Sequence, residues 1–181
     1  MKRILWGITG SGDRIADVLH TMDIIQQRED LKVYVVLSKS AEQMLRRYDL
    51  WAELNSKFKK VTRETNANVP FIVGPLQVGH YDVLIVAPLT ANSTAKIAHG
   101  IADTLVTNAV SQTLKGTTPV ILYPVDQKPG EVQTKAPDGI VYTIRTRQVD
   151  LDNTDILRKM EGVIVVSSPD GIPRVIDNIL D

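Results

Sequence analysis

Runs of β-branched and aliphatic residues alternate with segments of helical periodicity along most of the chain. The apolar runs are RILWGI (3–8), KVYVVLS (32–38), DVLIVA (82–87), TPVILY (118–123) and GVIVVS (162–167). None alternates strictly between apolar and polar positions, which is the pattern of strands covered on both faces. Between the first two, Ile15, Val18, Leu19, Met22 and Ile25 recur at helical spacing, in a helix expected to start at Gly12 or Asp13. After the third run, Ala95, Ala98, Ile101, Ala102, Leu105, Ala109, Val110 and Leu114 mark one face of a long helix that Gly116 ends. The order β-α-β-α-β-α-β predicts an α/β fold, a three-layer, doubly wound, mainly parallel sheet of Rossmann-like type. Residues 124–139, PVDQKPGEVQTKAPDG, break the rhythm with prolines, glycines and no helical period, and a strand-like IVYTIRT follows. A long loop or hairpin after the fourth strand is expected there.

Composition narrows the possibilities. With 181 residues and 43% apolar content, the chain is expected to form one domain over 1–181. The 21 basic and 21 acidic residues cancel, so no global field favours nucleic acid or an anionic membrane. The absence of cysteine removes disulfides, thiolate nucleophiles and cysteine-held metal or iron–sulfur sites, and no metal site is expected. The N-terminal MKRILWGITGSG reads as a first strand and not as a signal peptide. No apolar stretch approaches the ~20 residues that cross a bilayer, so a soluble, cytoplasmic protein is expected.

In open α/β sheets, ligands sit beyond the carboxyl ends of strands where the strand order reverses. Three strand ends here carry suitable residues. The first reads GITGSG and offers Thr9, Gly10, Ser11 and Gly12 at the mouth of a helix, fitted either to a phosphate or to a tight turn. Its glycines run G-x-x-G-x-G, unlike the dinucleotide fingerprint, and no G-K-[ST] of a P-loop occurs. The second presents Ser38, Lys39 and Ser40 where a dinucleotide site would place an acid, which favours a mononucleotide phosphate; Ser40 also suits a helix cap. At the third, Pro88 is expected to stop the strand, and Thr90, Asn92 and Ser93 then offer more hydrogen-bonding groups than one cap requires. Such an excess suits a planar, polar-edged ring.

These segments resemble a known family. APLTANSTAKIAHGIADTLVTNAV is similar to the signature of the homo-oligomeric flavin-containing cysteine decarboxylase superfamily, and GITGSG and SKSA match its other FMN-binding segments in order and spacing. The resemblance implies FMN held by Thr9, Gly10, Ser11, Gly12, Ser38, Ser40, Pro88, Thr90, Ala91, Asn92, Ser93 and Asp103. It also implies assembly as trimers or multiples of trimers, with the flavin at a subunit interface. Two elements of the decarboxylases are missing. The histidine some eight residues before Asp82 is replaced by Gly74, and the P-x-M-N clamp by Pro124-Val125-Asp126-Gln127. His80 is too close to Asp82 to substitute and reads as a surface residue.

GHYDVLIVAP, AKIAHGIADTLVTNAV, YPVD with the glycine-containing loop after it, and IRTRQVDLDNTDILRKMEGVIVVSSPDGI resemble the archaeal flavoprotein branch that includes dihydromethanopterin reductase, over nearly the whole chain. That resemblance implies an FMN-dependent reductase acting on a dihydropterin, with hydride passing to its C=N bond. Electrons are expected from a separate donor: ferredoxin, another flavoprotein or NAD(P)H. Asp126 is the candidate proton donor or merely a loop acid, with Tyr123 and Pro124 beside it as candidate substrate contacts, Tyr123 otherwise ending its strand in the core. The 128–139 excursion is a candidate cover, and Lys128, Lys135, Arg145 and Arg147 are candidate partners for an anionic substrate tail. Two other function classes fit a flavin site, a flavin prenyltransferase and a non-catalytic flavin-binding or electron-transfer protein. The first would need a second cluster of basic and hydroxyl residues, and none is compact in the sequence.

Overall fold

The computed structural model describes residues 1–68 and 71–180. Its centre is a parallel sheet of six strands: β1 (Lys2–Ile8), β2 (Leu31–Leu37), β3 (Val61–Arg63), β4 (Val83–Leu89), β5 (Val120–Pro124) and β8 (Val163–Val165), in the order β3-β2-β1-β4-β5-β8. Ile4 lies opposite Val33 on one side and Val83 on the other. The chain moves outward from β1 to β3 and then returns across β1 to β4, so the strand order reverses between β1 and β4. Parallel strands need crossovers, and helices supply them on both faces.

Two apolar cores follow from that arrangement. On one face Ile4, Trp6 and Ile8 pack with α1 (Ile15–Gln26), α2 (Lys39–Arg47), α3 (Trp51–Lys57) and α8 (Ile172–Leu180). On the other, Leu5, Leu84 and Val86 pack with α5 (Ala91–Ala98), α6 (Leu105–Thr113) and α7 (Gln148–Arg158). All seven residues of β4 are buried, which is why the sequence there is uniformly apolar. Trp6, wholly buried, donates its indole N–H to the Ala87 carbonyl at 2.8 Å, so its one polar atom is satisfied.

The expected three-layer, doubly wound architecture is present, with four local differences. The single long helix after β4 is two helices. Gly100, at φ 72°, ends the first in the left-handed region, and Thr104 starts the second with a reciprocal cap to Thr107. Pro88 does not stop its strand. It lies inside β4, where the register against β5 slips between Val86 and Leu89. Helix α1 begins at Ile15, after Arg14 at φ 58°. Short β3 and α4 (Val73–Gln77) have too few residues to show a period. The 124–139 excursion is resolved as an antiparallel hairpin, β6 (Glu131–Lys135) with β7 (Val141–Arg145), which pairs with no strand of the main sheet. Among the described residues, no helix is long and apolar enough to cross a membrane.

Candidate functional site

A cleft of about 490 Å³ opens at the carboxyl ends of β1, β2 and β4, at the point where the strand order reverses. Its floor is a knot of short hydrogen bonds. The Thr9 hydroxyl donates to the Pro88 carbonyl at 2.7 Å and accepts from the Thr90 amide at 2.9 Å, joining the ends of β1 and β4. Thr90 caps α5, its hydroxyl accepting from the Ser93 amide at 3.2 Å and donating to the Ser93 hydroxyl at 3.1 Å. Ser38 caps α2 by accepting from the Ala41 amide at 3.1 Å. Gly10 crosses so close to Ser40 that an added Cβ would stand 2.4 Å from the Ser40 Cβ. A side chain at position 10 would therefore close the cleft from within.

Eight of the residues implied for the cofactor line this one cleft: Thr9, Gly10, Ser38, Ser40, Thr90, Asn92, Ser93 and Asp103. The other four lie elsewhere. Ser11 is buried, with its hydroxyl donating to the Asp13 carbonyl at 3.4 Å, and Gly12 faces a different cavity against Tyr48. Pro88 is buried and contributes only its carbonyl, and Ala91 is the first residue of α5. Ser40 is not a cap. Ser38 has that position, which leaves Ser40 in the first turn with its side chain exposed at the cleft. Asp103 is held mainly by a side chain. Both its oxygens take the Lys96 ammonium, at 2.8 and 2.9 Å, and that contact holds its carboxyl below the usual range.

Lys96, Thr104 and Glu64 also line the cleft and were not singled out from sequence. Lys96 lies four residues after Asn92, on the same helix face, and the Thr104/Thr107 pair is a legible capping signature. Glu64 carried no local signal, because it follows the unrecognised β3. Its two carboxylate oxygens accept from the Lys39 and Leu105 amides, each at 3.1 Å, and so join the first turns of α2 and α6.

A second crevice, of about 180 Å³, lies beyond β5 and is lined by Asp13, Arg14, Tyr123, Asp126 and Lys128, with Val132 and Ile144 of the hairpin as part of its wall. It shares no lining residue with the first cleft. Asp126 is half-buried. Burial pushes its carboxyl up, Asp150 and Asp13 push the same way, and Arg147 opposes them. Burial likewise raises Asp13. The nearby arginines are engaged elsewhere, Arg14 with Asp17 at 2.8 Å and Arg147 with Asp150 at 2.7 Å. Tyr123 belongs to the core and reaches the crevice wall, its phenol kept protonated by burial. Pro124 does not line the crevice. It ends β5 opposite Leu89, and its carbonyl accepts from the Gln127 side-chain Nε2 at 2.8 Å, which fixes the turn that carries Asp126. Lys135 faces a neighbouring cavity of about 380 Å³ with Gly12 and Tyr48, and the Tyr48 hydroxyl donates to the Lys135 carbonyl at 3.0 Å.

The donor set suits a phosphorylated aromatic cofactor: hydroxyls and a lysine at one end of the cleft, an amide side chain and hydroxyls at the other. Known proteins agree with that chemistry. The chain is 46% identical over 176 residues to the uncharacterized protein MJ0730 of Methanocaldococcus jannaschii, covering 97% of this chain and 95% of that one. It is 39% identical over 146 residues to the dihydromethanopterin reductase (acceptor) of the same organism, covering 76% of this chain and 59% of the reductase. The chain thus spans about three fifths of that enzyme's length. In structure it is similar to Burkholderia xenovorans DmrB, crystallised in complex with FMN and described as a cubic protein cage for redox transfer. The TM-score is 0.82 at 32% identity, over 99% of this chain and 95% of that one. The family model described as Flavoprotein matches residues 1–179, and the chain belongs to the Flavoprotein family.

Proposed function

We propose that the chain binds FMN in the cleft between β1, β2 and β4 and acts as a reductase of a dihydropterin, dihydromethanopterin above all, with electrons from a separate donor. The observation that carries this is one cleft at the strand-order reversal, in a Flavoprotein-family chain, that gathers Thr9, Ser38, Ser40, Thr90, Asn92 and Ser93. Ser38, Ser40 and the Lys39 ammonium hold the phosphate, and Gly10 leaves the room it needs. Asn92 and Ser93, in the first turn of α5, hold the polar edge of the ring. FMN supplies two-electron redox chemistry when bound. Asp126, raised by burial, keeps a proton on its carboxyl into a higher pH range and delivers it to a substrate nitrogen. The hairpin wall, Val132 and Ile144, excludes water from that crevice.

Support comes from two similarities, 39% identity to a dihydromethanopterin reductase and the FMN complex of DmrB. Within one chain the crevice and the cleft share no lining residue, so a substrate reaching both fits best where two copies meet. That arrangement supports a homo-oligomer. The test is direct. Purified protein should be yellow or take up added FMN, and after anaerobic photoreduction it should be reoxidised by dihydromethanopterin or dihydrofolate. Colourless protein that takes up no FMN would end the proposal. Bound FMN with no reoxidation by either pterin would confine it to flavin binding.

A further inference from the structure

We infer that Glu64 makes the cleft a site for a single phosphate, and so sets its preference for FMN over a flavin dinucleotide; the inference rests on the FMN reading above. Two helices of nine residues each, α2 and α6, point their N-termini at the cleft. The first backbone amide of each, Lys39 and Leu105, donates to the same side chain, one to each oxygen of Glu64 at 3.1 Å. These amides are the groups that would otherwise receive an anion, because the partial positive charge of a helix N-terminus resides on them. In this chain a fixed carboxylate has already taken them.

The charges lining the cleft give the same answer. Lys96 is held by both oxygens of Asp103, at 2.8 and 2.9 Å, and Glu64 is held by the two helix ends. Among the described residues Lys39 makes no ion pair, so it is the lining cation left to meet a ligand, with the Ser38 and Ser40 hydroxyls beside it. One lysine and two hydroxyls match one phosphate. A second phosphate in the same cleft would meet the carboxylates of Glu64 and Asp103 with no cation left to offset them. The position also ties specificity to architecture, since Glu64 follows β3 directly and its amide donates to the Leu37 carbonyl at the end of β2 at 2.9 Å. The carboxylate is thereby held at the sheet edge and not on a free loop.

The test compares FMN and FAD affinity, by quenching of flavin fluorescence on titration, in the wild-type chain and in Glu64→Gln. The wild type should prefer FMN. The Gln variant removes the charge at constant size and keeps an acceptor for one of the two amides, and it should lose about tenfold or more of the FMN-over-FAD ratio. Glu64→Asp keeps the charge with a shorter reach and should retain the preference. That variant keeps the inference testable if the Gln protein fails to give a cooperative melt. FMN binding with an unchanged ratio in Glu64→Gln would overturn the inference alone, as would an equal tightening of both flavins or a loss of preference in Glu64→Asp. A wild-type chain that binds no FMN would overturn the reading beneath it.

Discussion

At the scale of single residues, two positions carry most of the argument. Gly10 is set by close approach, with a Cβ there meeting the Ser40 Cβ at 2.4 Å. Gly10→Ala should therefore displace the start of α2, at a cost of about 1 to 3 kcal/mol, and reduce FMN retention by more than its effect on melting explains. Equal FMN content in the variant, measured after gel filtration, would remove Gly10 from the site. Asp126 makes a prediction of a different kind. Because burial raises its pKa in the folded chain, the folded state binds its proton more tightly than the unfolded state does. Stability from this group is complete below the ordinary carboxylate range and declines as pH rises through the raised value. Asp126→Asn should thus flatten the fall of Tm across that window and stabilise the protein at neutral pH. The same variant should slow dihydropterin-driven reoxidation by about a hundredfold or more. Residues such as Thr90 and Ser38 were legible because hydroxyls cluster at these strand ends in greater number than the caps they form require. Asp13 and Glu64 were not, since what matters for them is which distant group they face.

At the scale of elements, an apolar run decided what sequence could reveal: three-residue β8 lies within GVIVVS and was expected, whereas three-residue β3 lies in no such run. Strands β1, β2, β4 and β5 have five to seven residues and a mostly apolar signal. The break between α5 and α6 was hidden for another reason. Apolar residues of both helices happen to continue one helical period through Gly100, and only the left-handed backbone and the Thr104 cap separate them. The cap has a measurable weight. Thr104→Ala removes the hydroxyl that accepts from the Thr107 amide and leaves the Thr104 N–H donating to the Thr107 hydroxyl; it should cost about 1 kcal/mol, lowering Tm by roughly 2 to 4 °C. Because Leu105 also donates to Glu64, an added drop in FMN affinity is expected, seen as a higher Kd in the same titration.

At the scale of the whole molecule, the expected doubly wound sheet brings into one cleft residues that lie between positions 9 and 104 of the chain. That convergence was foreseeable from strand order alone, because a reversal between neighbouring strands leaves their ends uncovered. What the sequence could not show is the separation of the Asp126 crevice from the cleft, since both follow strands of the same sheet and only the fold shows that they share no lining residue. The hairpin adds one more consequence. β6 and β7 share no hydrogen-bonded edge with the six-stranded sheet, and Gly139 in their connection is exposed. Limited proteolysis should cut there first, without unravelling the domain. The nicked protein should keep its yellow colour and its melting transition while losing turnover of pterin, so that a single protease cut would separate holding the flavin from using it.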